Sequence, residues 1–369
     1  MSKIAGYLRF LLFLFLPLSF LFAQVTPPPQ LQPRPTEPSK IQQPAPSTVN
    51  RGEINLDVQV TDKSGAAILG LQKEDFAILD DKRPQSIGNF QAVHGSEPTP
   101  AQPVEIVLVV DAVNASYQTV GYERDQLKKF LLQNDGKLAQ PTSLIFFTDA
   151  GMQMQNGSSR DGKALAALYD RYQTGMRTIN RSQGFYGAAE RLEMSLKALN
   201  SFVEYEQSRP GRKLMIWFSP GWPLLTGPGI QLSGQEEQHF FDSIVATSNG
   251  LRQARITLYS IDPLGLADAG GVRIDYYQEF LKGISRPDRA LAADLSLQVL
   301  AVQSGGRVLN ASNDLTHEVS TCASDAGSFY VLSFAAARAD HPNEYHAIEL
   351  TVDKPGAKAR TRTGYYAQP

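Results

Sequence analysis

From Pro103 onward the chain repeats one pattern: an apolar run of strand length, then a longer stretch whose apolar residues recur every three or four positions. Residues 104–110 are almost continuously apolar and end at Asp111, as a strand buried on both faces of a parallel sheet does. Val120, Leu127, Phe130 and Leu131 then fall at helical spacing, with Glu123, Arg124, Lys128 and Lys129 expected outside. Residues 144–147 read as a second core strand, 152–157 as a short hairpin strand and 161–172 as a helix. Phe185, Ala188, Leu192, Leu196, Leu199 and Phe202 mark a strongly amphipathic helix. Core strands follow at 214–218 and 256–261, with a helix between them carrying Phe240, Phe241, Ile244, Val245 and Leu251. Leu291, Leu295, Val299 and Val302 predict a last helix, stopped by Gly305-Gly306 before a short strand at 307–309. This alternation predicts an α/β domain over residues 103–311, with a mostly parallel, doubly wound sheet and helices on both faces.

The flanking segments change period. Ile54, Leu56, Val58 and Val60 alternate with polar residues, Asp80-Asp81-Lys82 is a turn, and 87–93 is strand-like. Residues 52–97 therefore read as a small β unit. In the segment 312–369, Leu315, Val319 and Cys322 line a short helix, and strand-like runs follow at 329–334, 345–352 and 359–366. Neither β segment has enough strands to shield an apolar face alone, so the two are expected to join in one β-rich layer.

The first 50 residues are of another kind. Lys3 and Arg9 precede an apolar run from Phe10 to Ala23, broken by Pro17 and shorter than the roughly 20 residues that span a bilayer core. Residues 1–23 are predicted to be a signal peptide cleaved after Ala23. Leu21, where a small residue is preferred, leaves an uncleaved short anchor as the alternative. Residues 24–50 hold eight of the 23 prolines and read as a disordered, extended linker. The expectation is a secreted, periplasmic or envelope protein with no membrane span in the mature chain.

Charge and composition narrow the chemistry. Among 369 residues, 37 acidic side chains face 35 basic ones, which argues against a general basic surface for nucleic acid. One cysteine excludes a disulfide framework and a cysteine zinc site. No acid–base pair or nucleophile triad is visible. Ser219, in Trp217-Phe218-Ser219-Pro220-Gly221, lacks the glycine pattern of a nucleophile elbow. His239 and His317 read as solvated helix residues, His317 beside Glu318, and His341 and His346 read as residues of a turn around Pro342.

In an open parallel sheet, ligands gather beyond the carboxyl ends of the strands, where the strand order reverses. The first α/β strand ends there in Asp111-Ala112-Val113-Asn114-Ala115-Ser116, and Arg124 and Leu127-Lys128-Lys129-Phe130-Leu131 follow on the next helix. Farther on come Leu258-Tyr259-Ser260-Ile261-Asp262-Pro263, Ser304-Gly305-Gly306-Arg307, Tyr330-Val331-Leu332-Ser333-Phe334 and Arg362-Thr363-Gly364-Tyr365-Tyr366. In this order, and with Val60-Thr61-Asp62 and Leu71-Gln72-Lys73-Glu74-Asp75-Phe76 upstream, they resemble exported bacterial von Willebrand factor A-related proteins of the acidobacterial type. The resemblance covers about residues 52–366.

That resemblance implies a cation site built from an Asp-x-Ser-x-Ser loop, a threonine and a later aspartate. Here Val113 and Ala115 stand where hydroxyls belong, and Ser219 stands where the later aspartate belongs. One carboxylate with neutral oxygens is a poor Mg²⁺ cage, so no metal and no cofactor is expected. The expectation is a non-enzymatic module that binds another protein through loops 111–120, 173–186 and 219–235. Its candidate contacts are Asp111, Asn114, Ser116, Thr178, Ser219 and Trp222. The alternative is a cation-dependent adhesion module centred on Asp111, with Mg²⁺ held also by Asn114, Ser116 or Thr178. Asp111 also has a purely structural role open to it, capping the loop that follows, and Trp222 is either an exposed contact or tucked onto the sheet edge.

Overall fold

The structure, a computed structural model, describes residues 52–94, 103–173, 184–225, 232–265 and 276–369. The signal peptide and linker expected over residues 1–50 lie outside the described residues.

In chain order the elements are β1 (Glu53–Thr61), β2 (Phe76–Asp80), β3 (Arg83–Gln85), β4 (Ile87–His94), β5 (Val104–Asp111), α1 (Tyr117–Leu131), β6 (Lys137–Thr148), β7 (Gly151–Met154), β8 (Ser159–Asp161), α2 (Gly162–Gln173) and α3 (Phe185–Gln207). They continue with β9 (Arg212–Phe218), α4 (Gly234–Gln253), β10 (Ile256–Ile261), α5 (Leu297–Gln303), β11 (Val308–Leu309), α6 (Leu315–Ser324), β12 (Ser328–Ala335), β13 (Glu344–Val352), β14 (Lys358–Arg360) and β15 (Gly364–Ala367).

The apolar runs become one central sheet of order β11-β10-β9-β5-β6-β7, with β8 beside β6. Strands β5, β6, β9, β10 and β11 are parallel, and β7 is antiparallel to β6. The chain winds from β5 to one side and returns to β9 on the other, so the order reverses at the end of β5. Successive residues of β5 face opposite cores. Ile106, Leu108 and Val110 pack with Leu127 of α1, Tyr169 of α2 and Val319 of α6. Val107 and Val109 pack with Leu199 of α3, Leu251 of α4 and Leu300 of α5. Helices therefore cover both faces, which is why β5 can be apolar without alternation.

Local chemistry sets the helix starts. Ser116 Oγ accepts from Thr119 N at 3.1 Å and caps α1. Ser233 and Glu236 form a reciprocal capping box at α4. Asp314 Oδ1 accepts from His317 N at 3.0 Å at the start of α6. After α5, Gly305 takes φ +90°, and Gly306 lies so close to the Leu258 carbonyl that any Cβ there would collide with it.

The two flanking β segments interleave. One four-stranded sheet has the order β14-β1-β12-β4 and the other β15-β13-β2-β3. The expectation was a single layer; the structure has two sheets around one core, with Leu56, Val58, Ile78, Leu332, Phe334 and Ile348 inside. Two other expectations are corrected. The run at 359–366 is not one strand: β14 pairs with β1 and β15 with β13, and the chain crosses between sheets at residues 361–363. The helix expected from Leu291 to Val302 breaks at Ser296, which is extended at φ −66° and ψ 150°. Asp294 accepts the Leu291 N–H at 2.8 Å and closes a short 3-10 turn before it, so Leu291 is exposed.

Candidate functional site

The end of β5 is built around Asp111, which is fully buried. Its Oδ1 accepts from the backbone N–H groups of Val113 at 2.9 Å and Asn114 at 2.8 Å. Its Oδ2 accepts from Asn114 Nδ2 at 2.9 Å and from Trp217 Nε1 of β9 at 3.0 Å. The buried Ser219 hydroxyl also favours the ionised form. Burial outweighs these bonds and holds the Asp111 pKa above the ordinary carboxylate range. Asn114 Nδ2 also reaches Ser195 Oγ of α3 at 2.9 Å, and that hydroxyl donates to the Arg191 carbonyl. One carboxylate thus ties the β5 loop, β9 and α3 together.

The structure brings Asp111, Asn114 and Ser219 into one cluster, and it buries them. Trp222 is 2 % exposed and stands edge-on to Trp217 at 5.1 Å. The expectation of an exposed tryptophan contact is therefore corrected: its large apolar surface is covered by the core that holds Leu199, Met215 and Trp217. Ser116 is half-buried and serves the α1 cap. Thr178 lies outside the described residues, as do 174–183 and 226–231 of the expected contact loops.

The donor set does not fit a divalent cation. Both Asp111 oxygens are held by donors, Val113 and Ala115 carry no side-chain oxygen, and Ser219 brings no charge.

Three buried groups differ from the sequence reading, which set Glu123 outside, noted Glu318 only beside a solvated His317 and put His346 in a turn. Glu123 of α1 is fully buried, and neither carboxyl oxygen has a partner among the described residues. Burial, and then the charge of Asp111, push its pKa well above the usual value. The signal was present: Glu123 lies three residues after Val120 and four before Leu127, within the apolar stripe. Glu318 of α6 is 4 % exposed, and burial, with Asp262 and Asp314 adding to it, raises its pKa to about 7. His346 is a buried residue of β13, not of a turn. Its Nδ1 lies 2.9 Å from Asp80 Oδ1, and Tyr365 donates to Asp80 Oδ2 at 2.7 Å. With Asp81 this makes a group of possible metal ligands. A metal-bound imidazole hands its other N–H to an acceptor, however, and His346 Nε2 has none among the described residues. The group is better read as a clamp joining β2, β13 and β15.

What the rim presents outward is different from what was expected. Tyr117 at the start of α1 is 65 % exposed, Tyr186 at the start of α3 is 88 % exposed, and Leu264 just past β10 is 37 % exposed. All three stand at the carboxyl ends of the strands, because α1 and β10's loop leave that edge and α3 runs from it back to the start of β9.

No protein-family model and no curated protein sequence matches the chain. Among solved structures it is similar to the pilus adhesin SpaC from Lactobacillus rhamnosus GG in its open conformation, at 12% identity and a TM-score of 0.39. It is also similar to the human COPII-coat protein Sec24c, at 11% identity and a TM-score of 0.32. These alignments cover 80% and 73% of this chain, but the chain spans only 48% and 44% of those structures. A likeness of this strength assigns no function.

Proposed function

We propose that this protein is an exported, non-enzymatic protein-binding module of von Willebrand factor A-like architecture, which recognises its partner through the carboxyl-edge loops without a bridging cation. The observation that carries this reading is the exposure of Tyr117, Tyr186 and Leu264 around a buried, donor-saturated Asp111. Exposed aromatic side chains are effective anchors for a protein partner, since they bury a large area at low entropic cost. The reversed strand order, with the aspartate at its turning point, supports the architecture. A non-catalytic role is supported by the Asp111 and Glu123 carboxyls, which lie out of reach of a substrate in solvent.

The test is capture from an envelope extract by the full chain, identification of the bound protein, and measurement of its Kd against variants. Tyr117→Ala with Tyr186→Ala is expected to weaken binding about a hundredfold, the loss of two aromatic anchors. Leu132→Ala with Tyr205→Ala, at the far ends of α1 and α3, is expected to leave it unchanged, as is EDTA. Equal binding by both pairs removes the rim from the reading, and loss in EDTA removes cation independence.

A further inference from the structure

The carboxyl edge of the sheet carries one sign of charge. Its described stretches, residues 112–118, 148–151, 219–225, 233–237, 262–265 and 310–314, hold Asp149, Glu236, Glu237, Asp262 and Asp314 and neither lysine nor arginine. The stretches 174–183, 226–231 and 266–275, outside the described residues, hold Arg177, Arg181 and Arg273 against Asp268 and Asp275.

Three acids gather at one corner, where the ends of β10 and β11 meet the start of α6. The Asp262 N–H donates to the Leu309 carbonyl at 2.8 Å, and Asp262 Oδ1 accepts from Leu264 N at 2.9 Å. Gly265, at φ +50°, then lies so close to the Ser312 carbonyl and Asn313 Oδ1 that any Cβ there would collide with them. The loop after β10 is thus pressed onto the loop that leads into α6. Tyr122 donates to the Asn313 carbonyl at 2.5 Å, so the helix that begins with Tyr117 leans on the same loop. Asp314 and Glu318 stand four apart at the start of α6, hence on one face, and the Glu318 N–H donates to the Asp314 carbonyl at 3.0 Å.

The oxygens left over decide what this corner can hold. Asp314 is exposed; its Oδ1 accepts from His317 N, and its Oδ2 bonds nothing among the described residues. Glu318 is 4 % exposed, and its Oε2 is enclosed without a partner among them. The charges that act on Glu318 are those of Asp262 and Asp314, both negative. A largely buried carboxylate beside other acids is unfavourable unless a cation meets it. The three are not spaced for a metal: among the described residues only Asp80, Asp81 and His346 bring three such ligand atoms within 4.8 Å of one another. A guanidinium is larger, and its planar fork of N–H donors spans acceptors that are too far apart to share an ion. Leu264, 37 % exposed between Asp262 and Gly265, offers an apolar contact for the stem of such a side chain.

We infer that the partner bound at this edge presents an arginine, which packs its stem on Leu264 and pairs with Asp314 and Glu318. This inference rests on the reading of the edge as a protein-binding surface and adds the chemistry of what it binds.

The test is calorimetry of the full chain at pH 8, above the Glu318 value of about 7, with three synthetic hexapeptides that alternate leucine with arginine, glutamine or glutamate. The arginine peptide is expected to give one saturable site, the glutamine peptide to bind at least about tenfold more weakly, and the glutamate peptide not to bind. Asp314→Asn, which keeps a good helix cap, and Glu318→Gln are each expected to weaken binding of the arginine peptide about tenfold, the loss of one charge-assisted contact. Asp135→Asn, an exposed acid at the opposite edge paired with Lys163, is the unchanged control. An arginine peptide that binds no better than the glutamine peptide, or that binds both acid variants as well as the parent, overturns the inference. If Tyr117→Ala with Tyr186→Ala weakens capture of the envelope partner while neither acid substitution weakens either ligand, the protein-binding edge stands and the arginine falls. If the acid substitutions weaken the arginine peptide and the tyrosine pair changes neither ligand, the arginine site stands and the aromatic anchors fall.

Discussion

The end of β5 and the sandwich seam are both buried and polar, yet their inventories are opposite. At the end of β5 one carboxylate receives four donors from the backbone, Asn114 and Trp217. In the seam, where the β-sandwich meets the central sheet, four arginines, Arg212, Arg255, Arg307 and Arg360, share Asp57 and Asp325. Donors that saturate an acid leave it structural, because every lone pair already has its proton donor. Donors in excess leave a charge that solvent or a ligand must meet. The place that looks most like a ligand site in the sequence is therefore a closed one, and the arginine-rich seam is assembled from residues far apart in the chain.

The sharpest way to break this contrast is Asp325→Ala. It strands Arg307 and Arg360 and removes the Tyr259 acceptor, so a loss of about 3–5 kcal/mol is expected in denaturant unfolding. A loss below about 1 kcal/mol means that the seam charges do not hold the sandwich in place.

Glu318 gives the next largest effect. Its folded pKa of about 7 stands above an ordinary value of 4.5, so the folded state holds the proton more tightly than the unfolded chain. This contribution is fully present below about pH 4.5 and is lost as pH rises through 7, to the extent of roughly 2–3 kcal/mol. Glu318→Gln is expected to flatten that part of the stability profile measured from pH 4 to 8. An unchanged profile excludes Glu318 as its source.

Trp217→Phe keeps the ring against Trp222 and removes one donor from Asp111, at an expected cost of about 1–2 kcal/mol. A neutral result means that the remaining donors satisfy Asp111 without it. Smallest of all, Tyr117→Ala with Tyr186→Ala is expected to change stability by less than about 0.5 kcal/mol each, since both are exposed. A larger loss by thermal unfolding assigns these tyrosines to the fold and takes them from the recognition surface.

Much of the architecture was legible along the chain. The apolar runs ending at Asp111 and near residues 147, 218 and 261 mark core strands, because a strand covered on both faces cannot afford alternation. The site was less legible. Asp111 and Asn114 were identified as a unit, and they do bond, because their spacing is local. Trp217, the donor that closes Asp111, was read only as a core strand residue, since its partnership depends on β9 lying beside β5. Glu123 was set outside on the strength of its charge, although helical spacing put it on the apolar face.

By itself, then, the amino-acid order determined most of the core strands and helices, where the parallel sheet begins, and that Asp111 stands at a strand's end, because hydrophobic period and local hydrogen bonding act over a few residues. Only the tertiary structure decided that Trp222 is covered, that Tyr117, Tyr186 and Leu264 share one edge, and that Arg255 meets Asp57. Those relations depend on strand order and register, which bring separate segments of the chain together and carry no mark of it in either neighbourhood.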